Sequence, residues 1–280
     1  MTTVILGAAG GMGSAVARRM ATQGPVLLSD LHEEPLDRLV GELREGGFDA
    51  RGIAGDAADP ALSARLADAV EGSFGGLVNA AGAWHPDLTA TESFAVNYLP
   101  TTHLLDAFVG LAGAGSAAVI IASTGGHRRG HAAETDDILR LHRGPDAWPA
   151  VRKHWGDALD AHTAYGIAKR GVILECELRN AAWTDRGARL VSISPGNFAT
   201  PMGRRGAQRG GANFLVETAI GRRPGAPDEI ADLVEFLLSP RASYLSGCDI
   251  RIDGGALASS RHARGSAAFD VYDAQLVPRR

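Results

Sequence analysis

The stretch Val4-Ile5-Leu6-Gly7-Ala8-Ala9-Gly10-Gly11-Met12-Gly13 decides the reading of this chain. A short apolar run comes first, a glycine-rich turn follows at once, and residues 13–20 carry helical periodicity. A strand, a glycine turn and a helix in that order aim free N–H groups and the positive end of a helix dipole at the turn. Glycines there let an anion approach the backbone closely, and a dinucleotide pyrophosphate is the anion best matched to such a turn. Taken alone the turn is weak evidence, so the rest of the chain has to carry the reading.

Outward from the turn, β-rich runs at residues 4–6, 25–28, 50–53, 77–78, 117–122, 190–193 and 249–252 alternate with helical stretches. That alternation predicts right-handed βαβ units building an α/β fold: a three-layer, doubly wound parallel sheet of Rossmann type. Residues 62–70 are periodic as a helix. Ile230, Leu233, Val234, Leu237 and Leu238 put one apolar stripe on a helix begun by Pro227-Asp228-Glu229. At 280 residues, one domain around one core is expected.

Composition narrows the function classes. The 45% hydrophobic and 21% charged content describes a soluble globular chain. No apolar run approaches the roughly 18 residues of a spanning helix, and Met1-Thr2-Thr3 lacks the basic start of a signal peptide. A cytoplasmic protein with no membrane partner is expected. The net charge of −4 is spread without long runs, which argues against a nucleic-acid surface. Cys176 and Cys248 keep no ligand spacing and read as ordinary small residues. His127, His131, His142, His154 and His162 are irregularly spaced with no cysteine among them, so a solvated polar insert is expected rather than a metal site.

Three features point to chemistry. Asp30 ends the second strand about 20 residues past the turn, where a carboxylate accepts from both adenosine ribose hydroxyls and repels a 2′-phosphate; a capping or solvated acid is the alternative. Tyr165 and Lys169 stand at i and i+4 and share one helix face. Lowering a tyrosine from its free pKa of about 10 by roughly 3 units takes about 4 kcal/mol of phenolate stabilisation, and a nearby ammonium supplies that kind of interaction. Ser123 follows the fifth strand in Ala122-Ser123-Thr124-Gly125-Gly126, where a strand-end hydroxyl can cap a turn.

The motifs occur in a telling order. Gly7, Gly11 and Gly13 form G-x-x-x-G-x-G; Gly55-Asp56-Ala57 follows the third strand, and Asn79-Ala80-Ala81-Gly82 the fourth. Asn97 lies on the next helix; then come Ser123, Tyr165-Gly166-Ile167-Ala168-Lys169, Ser194-Pro195-Gly196-Asn197-Phe198-Ala199-Thr200 and Ile252-Asp253-Gly254-Gly255. From residue 2 to about 256 this resembles the short-chain dehydrogenase/reductase family. Leu6 stands where that family often has threonine.

The resemblance implies a nicotinamide cofactor, and Asp30 makes it NAD, since neither Met12 nor Leu31 supplies the cation that NADP-preferring relatives place nearby. It assigns the pyrophosphate turn to Gly7, Gly11, Met12 and Gly13, the adenosine to Asp30, Leu31, Asp56 and Ala57, and further cofactor contacts to Asn79, Ala80 and Gly82, part of a family hallmark. Pro195, Gly196, Phe198 and Thr200 would reach the nicotinamide amide, and Tyr165 and Lys169 its ribose. It further implies that Tyr165 exchanges the proton of a secondary alcohol, Ser123 holds the oxygen, Lys169 lowers the tyrosine pKa, and Asn97 positions a water between Lys169 and solvent. An alcohol dehydrogenase or ketone reductase is the expectation. Alternatives are an inactive NAD(H)-binding sensor or scaffold and an NAD-recycling epimerase or dehydratase.

Ser123 and Tyr165 stand 42 residues apart, far more than is usual in the family. Residues 127–162 therefore form a partly helical insertion in a domain spanning 1–256, and 257–280 form an extension or lid carrying Phe269 and Tyr272. A long insertion at this place, and the run Pro240-Arg241-Ala242-Ser243-Tyr244, resemble the bacterial 3α-hydroxysteroid dehydrogenase/carbonyl reductase subgroup. That implies a bulky cyclic, steroid-like or aromatic substrate. It also implies a homodimer that does not pair through the Val172 to Ala182 helix, a homotetramer being the alternative. The insertion's place beside the active site predicts that Trp148 or Trp155 walls the substrate pocket, a surface loop with no role being the alternative.

Overall fold

The computed structural model describes residues 1–85, 87–127, 133–156, 159–208 and 213–262. Seven strands run as β1 (Thr2–Leu6), β2 (Val26–Asp30), β3 (Ala50–Ala54), β4 (Phe74–Asn79), β5 (Ala117–Ile121), β6 (Arg189–Pro195) and β7 (Asp249–Ile252). They form one parallel sheet in the order β3-β2-β1-β4-β5-β6-β7. β1, β5 and β6 are buried along their whole length; β5 accordingly reads as a continuous apolar run, whereas β6 carries the buried Ser192 and Ser194 between apolar neighbours.

Helices cover both faces. Ile5 packs with Val16 of α1 (Gly11–Ala21), Leu36 of α2 (Glu33–Glu45), and Ile230 and Val234 of α10 (Pro227–Leu238). Its neighbours Val4 and Leu6 point the other way. They meet Leu62 of α3 (Pro60–Asp68), Leu104 of α4 (Ala90–Phe108), and Val172 and Trp183 of α7 (Ala161–Thr184). The helix starts follow local chemistry: Thr89 and Glu92 close a capping box on α4, Asp59 caps α3 ahead of Pro60, and Asp160 accepts from the Thr163 N–H to start α7.

The insertion is helical, as its composition predicted. A 3-10 turn (Thr124–His127) leads to α5 (Ala133–Leu141), a second 3-10 turn (Gly144–Asp146) and α6 (Ala147–Trp155). Leu139, Val151 and Trp155 bury against Phe94 and Tyr98 of α4 and Ile167 and Leu174 of α7, forming a third apolar cluster. Past β6, α8 (Pro201–Gln208) and α9 (Asn213–Thr218) lead toward α10, and α11 (Ala256–His262) packs on α9. Phe269, Tyr272 and His131 lie outside the described residues. Among the described residues no helix is long and apolar enough to cross a membrane.

Candidate active site

The strand order reverses between β1 and β4, and in such sheets the crevice at the carboxyl ends beside that reversal is where ligands bind. Gly7 sits there with φ +75°, and a Cβ on it would lie 2.5 Å from the Ala81 nitrogen. A Cβ on Gly13 would lie 2.0 Å from the Gly7 carbonyl oxygen. No side chain fits at either place, so the turn is bare backbone. Gly10 begins α1 without a side-chain cap, and the first turn of the helix holds no acid. These features fit a dinucleotide: the free N–H groups and helix dipole are left for a pyrophosphate.

Asp30 reaches back over this turn. Its Oδ2 accepts from the Ala9 N–H at 2.9 Å and its Oδ1 from the His32 N–H at 3.4 Å, which holds the carboxylate at the mouth of the crevice. Met12 is half-buried and Leu31 exposed. Asp56 is exposed, with Oδ1 accepting from Ala58 N–H, and Ala57 is half-buried beside it. Asn79, at the end of β4, donates to Thr101 Oγ1 at 3.1 Å and accepts from Ala81 N–H, fixing the turn that contains half-buried Ala80 to α4.

A Cβ on Gly82 would lie 2.8 Å from Asn97 Oδ1 and 3.2 Å from Lys169 Nζ, so those two groups flank one point. Asn97 Nδ2 donates to the carbonyls of Ala83 and Ser93 at 2.7 and 2.8 Å, and its Oδ1 accepts from Ala83 N–H. Its side chain is thus spent on backbone. Lys169 is buried, donates to the Ile121 carbonyl at 3.0 Å, and stands 5.9 Å from the centroid of the Tyr165 ring. Burial pulls its ammonium down to about 8. Ser123 Oγ accepts from Gly125 N–H at 3.1 Å, and a Cβ on Gly125 would sit 3.2 Å from Tyr165 Cε1 and 3.4 Å from Ser123 Oγ. Ser123 and Tyr165 thus border the same small space.

The loop after β6 closes the crevice from the other side. Pro195 pairs with Ile252, and Gly196 lies so close to Asp253 that a Cβ would be 2.8 Å from the aspartate's own Cβ. Thr200 caps α8 by accepting from Gly203 N–H at 3.0 Å, and its methyl group faces Gly11. Phe198 is directed into the core over Gly225, so only its backbone is available to a ligand.

The family described as short chain dehydrogenase matches residues 1–134, and that described as Enoyl-(Acyl carrier protein) reductase matches residues 155–256. A D-threitol dehydrogenase from Mycolicibacterium smegmatis is 32% identical over 265 residues, covering 90% of this chain and 91% of that protein. This chain belongs to the short-chain dehydrogenase/reductase family. A 3-alpha-hydroxysteroid dehydrogenase/carbonyl reductase from Comamonas testosteroni is 34% identical over 187 residues, 64% of this chain and 71% of that one. The crystal structure of levodione reductase superposes with a TM-score of 0.73 at 25% identity, covering 92% of this chain and 97% of that one. The protein is therefore an oxidoreductase of a family that uses a nicotinamide cofactor. Residues 135–154, which neither family match covers, hold most of α5 and α6.

Within this short-chain dehydrogenase/reductase, two expectations about the insertion need correction. Trp155 does not wall a pocket: it is 5% exposed in the third apolar cluster and donates to Thr135 Oγ1 at 3.1 Å. Trp148 stacks on Phe94 with ring centroids 4.9 Å apart and donates to Thr91. Both are held by the packing of α6 against α4 and α5. Nor are the histidines simply solvated: His127 bonds Asp249 and Ser194, and His162 accepts from Trp84 Nε1 at 3.4 Å. Among the described residues no three metal-ligating side chains converge.

Sequence reasoning missed Trp84 and Glu175. Trp84 follows Gly82 by two residues and meets His162 edge-on at 6.4 Å; His162 lies one helical turn before Tyr165, on the same face of α7. Its place just beyond the Asn79-Ala80-Ala81-Gly82 turn was the available signal. Glu175 carried none. Its carboxylate, 1% exposed, accepts from Arg143, Arg179 and the Tyr98 hydroxyl.

Proposed function

We propose that this short-chain dehydrogenase/reductase transfers a hydride reversibly between NAD(H) and a secondary alcohol or ketone, the substrate being bulky and cyclic, steroid-like or aromatic. The observation that carries the reading is the shared space at Gly125, bordered by Ser123 Oγ and the Tyr165 ring, with the buried Lys169 ammonium behind that ring.

In oxidation Tyr165 takes the hydroxyl proton. Lys169 makes that possible near neutral pH, because an ammonium at about 8 still carries most of its charge there and favours phenolate. Ser123 accepts from Gly125 N–H, which orients its own hydroxyl proton toward the substrate oxygen. Asn97 fixes the Ala83 backbone next to Gly82, whose position faces Lys169 Nζ, and a water there would join the ammonium to solvent. Gly7, Gly11 and Gly13 would hold the pyrophosphate, Asp30 the adenosine ribose, Lys169 and Tyr165 the nicotinamide ribose, and Thr200 the nicotinamide amide. When bound, the nicotinamide supplies or accepts the hydride.

NAD rather than NADP is favoured because Asp30 offers a carboxylate at the crevice mouth with no cation from Met12 or Leu31 beside it. The hydroxysteroid relative supports the bulky substrate, as does the Trp84–His162 pair close to Tyr165. The D-threitol relative supports a second reading, a small polyol. A panel of steroids, terpenoid alcohols, aryl carbinols and polyols with their ketones, followed by NADH absorbance, separates the two. No turnover across the panel despite NADH binding would point instead to a sensor or scaffold.

A further inference from the structure

Three polar side chains lie where β6 and β7 would ordinarily present apolar ones to α7. Ser192 and Ser194 are fully buried and alternate with Val191 and Ile193, which belong to the apolar cluster on the opposite face of the sheet. Beside them the Asp249 side chain is only 7% exposed. Burying a carboxylate there is costly unless its oxygens are satisfied. Both serine hydroxyls donate to Asp249 Oδ1, at 2.5 and 3.0 Å, and the remaining oxygen, Oδ2, lies 2.8 Å from His127 Nε2. The same ring nitrogen is 3.1 Å from Ser194 Oγ. Since the Ser194 proton is already committed to Asp249 and an ionised carboxylate only accepts, Nε2 must carry a proton and donate. Asp249 therefore fixes both the tautomer and the orientation of His127.

His127 ends the 3-10 turn that begins just after Ser123. The turn is gripped from its other side as well. A Cβ on Gly126 would sit 2.8 Å from the Lys169 carbonyl carbon and 2.9 Å from the Arg170 nitrogen, so the turn touches the backbone of α7 directly below Tyr165. The segment from Ser123 to His127 is thus wedged between α7 and the β6–β7 edge.

We infer that His127 and Asp249 are positioning residues for Ser123: by clamping the turn to β6 and β7, they set where the Ser123 hydroxyl stands relative to Tyr165. The inference rests on the reading of Ser123 as the group that holds the substrate oxygen. Neither residue touches the reacting atoms. Their effect passes through the turn, and displacement of such a hydroxyl by an ångström costs on the order of 100-fold in rate.

The test is a double-mutant cycle in the full-length protein, with kcat, KM, NADH affinity and melting temperature measured for each variant. His127→Ala should lower kcat about 10- to 100-fold while NADH affinity stays at the wild-type value. His127→Gln, whose amide N–H can donate to the same carboxylate, should recover most of that loss. In a Ser123→Ala background, His127→Ala should cost less than about 2-fold more, because the group it positions is already gone. Asp249→Ala, which removes the acceptor that the ring N–H needs, should give the same pattern and serves if His127→Ala does not fold. A full, additive loss in the Ser123→Ala background would overturn the inference. So would native kcat in His127→Ala when Ser123→Ala alone is impaired. Native turnover of Ser123→Ala would instead remove the reading of Ser123, and the clamp with it.

Discussion

Glu175 and Arg143 form an ion pair of 2.6 Å between the helix that carries Tyr165 and the loop between α5 and α6. Arg179 at 2.6 Å and the Tyr98 hydroxyl at 2.7 Å complete the set around the carboxylate. Arg170–Asp136 and Arg140–Glu177 add further ties between α7 and α5. The insertion is bolted onto α7 by charge as well as by the apolar cluster beneath.

Removing the buried partner should therefore destabilise the protein. Glu175→Ala is expected to cost about 2–4 kcal/mol, less than a fully enclosed pair because the Arg143 side chain is 37% exposed and can turn to water. The urea midpoint should fall with little change in slope. Burial works to raise the Glu175 pKa, but the hydrogen bonds from Arg143 and Arg179 outweigh it and leave it lowered. Its stabilisation is then present above the unfolded carboxylate value and lost as pH falls through the lower folded value. Glu175→Gln should flatten acid unfolding in that window; an unchanged acid limb would refute the assignment.

Lys169 is expected to trade stability for activity. Its folded pKa of about 8 lies below the unfolded value, so between the two the unfolded chain binds more protons and stability rises with pH. Below about 8 the buried charge is a cost. Lys169→Met should thus melt higher than wild type at neutral pH, by about 1–2 kcal/mol once the lost hydrogen bond to Ile121 is subtracted. The same variant should lose at least about 100-fold in kcat, as should Tyr165→Phe. Calorimetry across pH and steady-state kinetics check the two halves separately, and near-native turnover in Tyr165→Phe would overturn the proposed mechanism.

Cofactor choice should turn on Asp30. A 2′-phosphate about 4 Å from its carboxylate would meet on the order of 4 kcal/mol of repulsion per charge at an effective dielectric near 20. Replacing Asp30 with alanine should weaken NADH binding and relieve NADPH binding, read by fluorescence titration of each. A wild-type protein that prefers NADPH would defeat this.

Assembly follows from the covered helix. With α5 lying on the Arg170 to Glu177 stretch of α7, the protein is expected to be a dimer that does not pair through that helix. Light scattering on the wild type and on an insertion-shortened variant is the measurement. A wild-type tetramer built on α7, or unchanged assembly after shortening, would contradict it.

Much of the fold was legible because its signals are local. Seven β-rich runs, the stripe on α10 and the glycine turn depend on spacings of a few residues, and the strands, α1 and α10 formed where those spacings placed them. The pairing of Tyr165 with Lys169 is equally local, one turn of helix apart. The order of the strands was not legible, nor were the polar links that cross the molecule. His127 and Asp249 are 122 positions apart, and Trp84 and His162 are 78.

By itself, then, the sequence determined which segments became strands and helices and which motifs occur in which order, since backbone periodicity and side-chain repeats act over a single turn or pleat. Only the tertiary structure decided that Trp155 is core, that Asn97 is spent on the Ala83 and Ser93 backbone, and that Asp249 holds His127. Those outcomes depend on which groups packing removes from water: once buried, an aromatic ring takes whatever apolar partner is adjacent, and a polar group takes whatever donor or acceptor lies within reach.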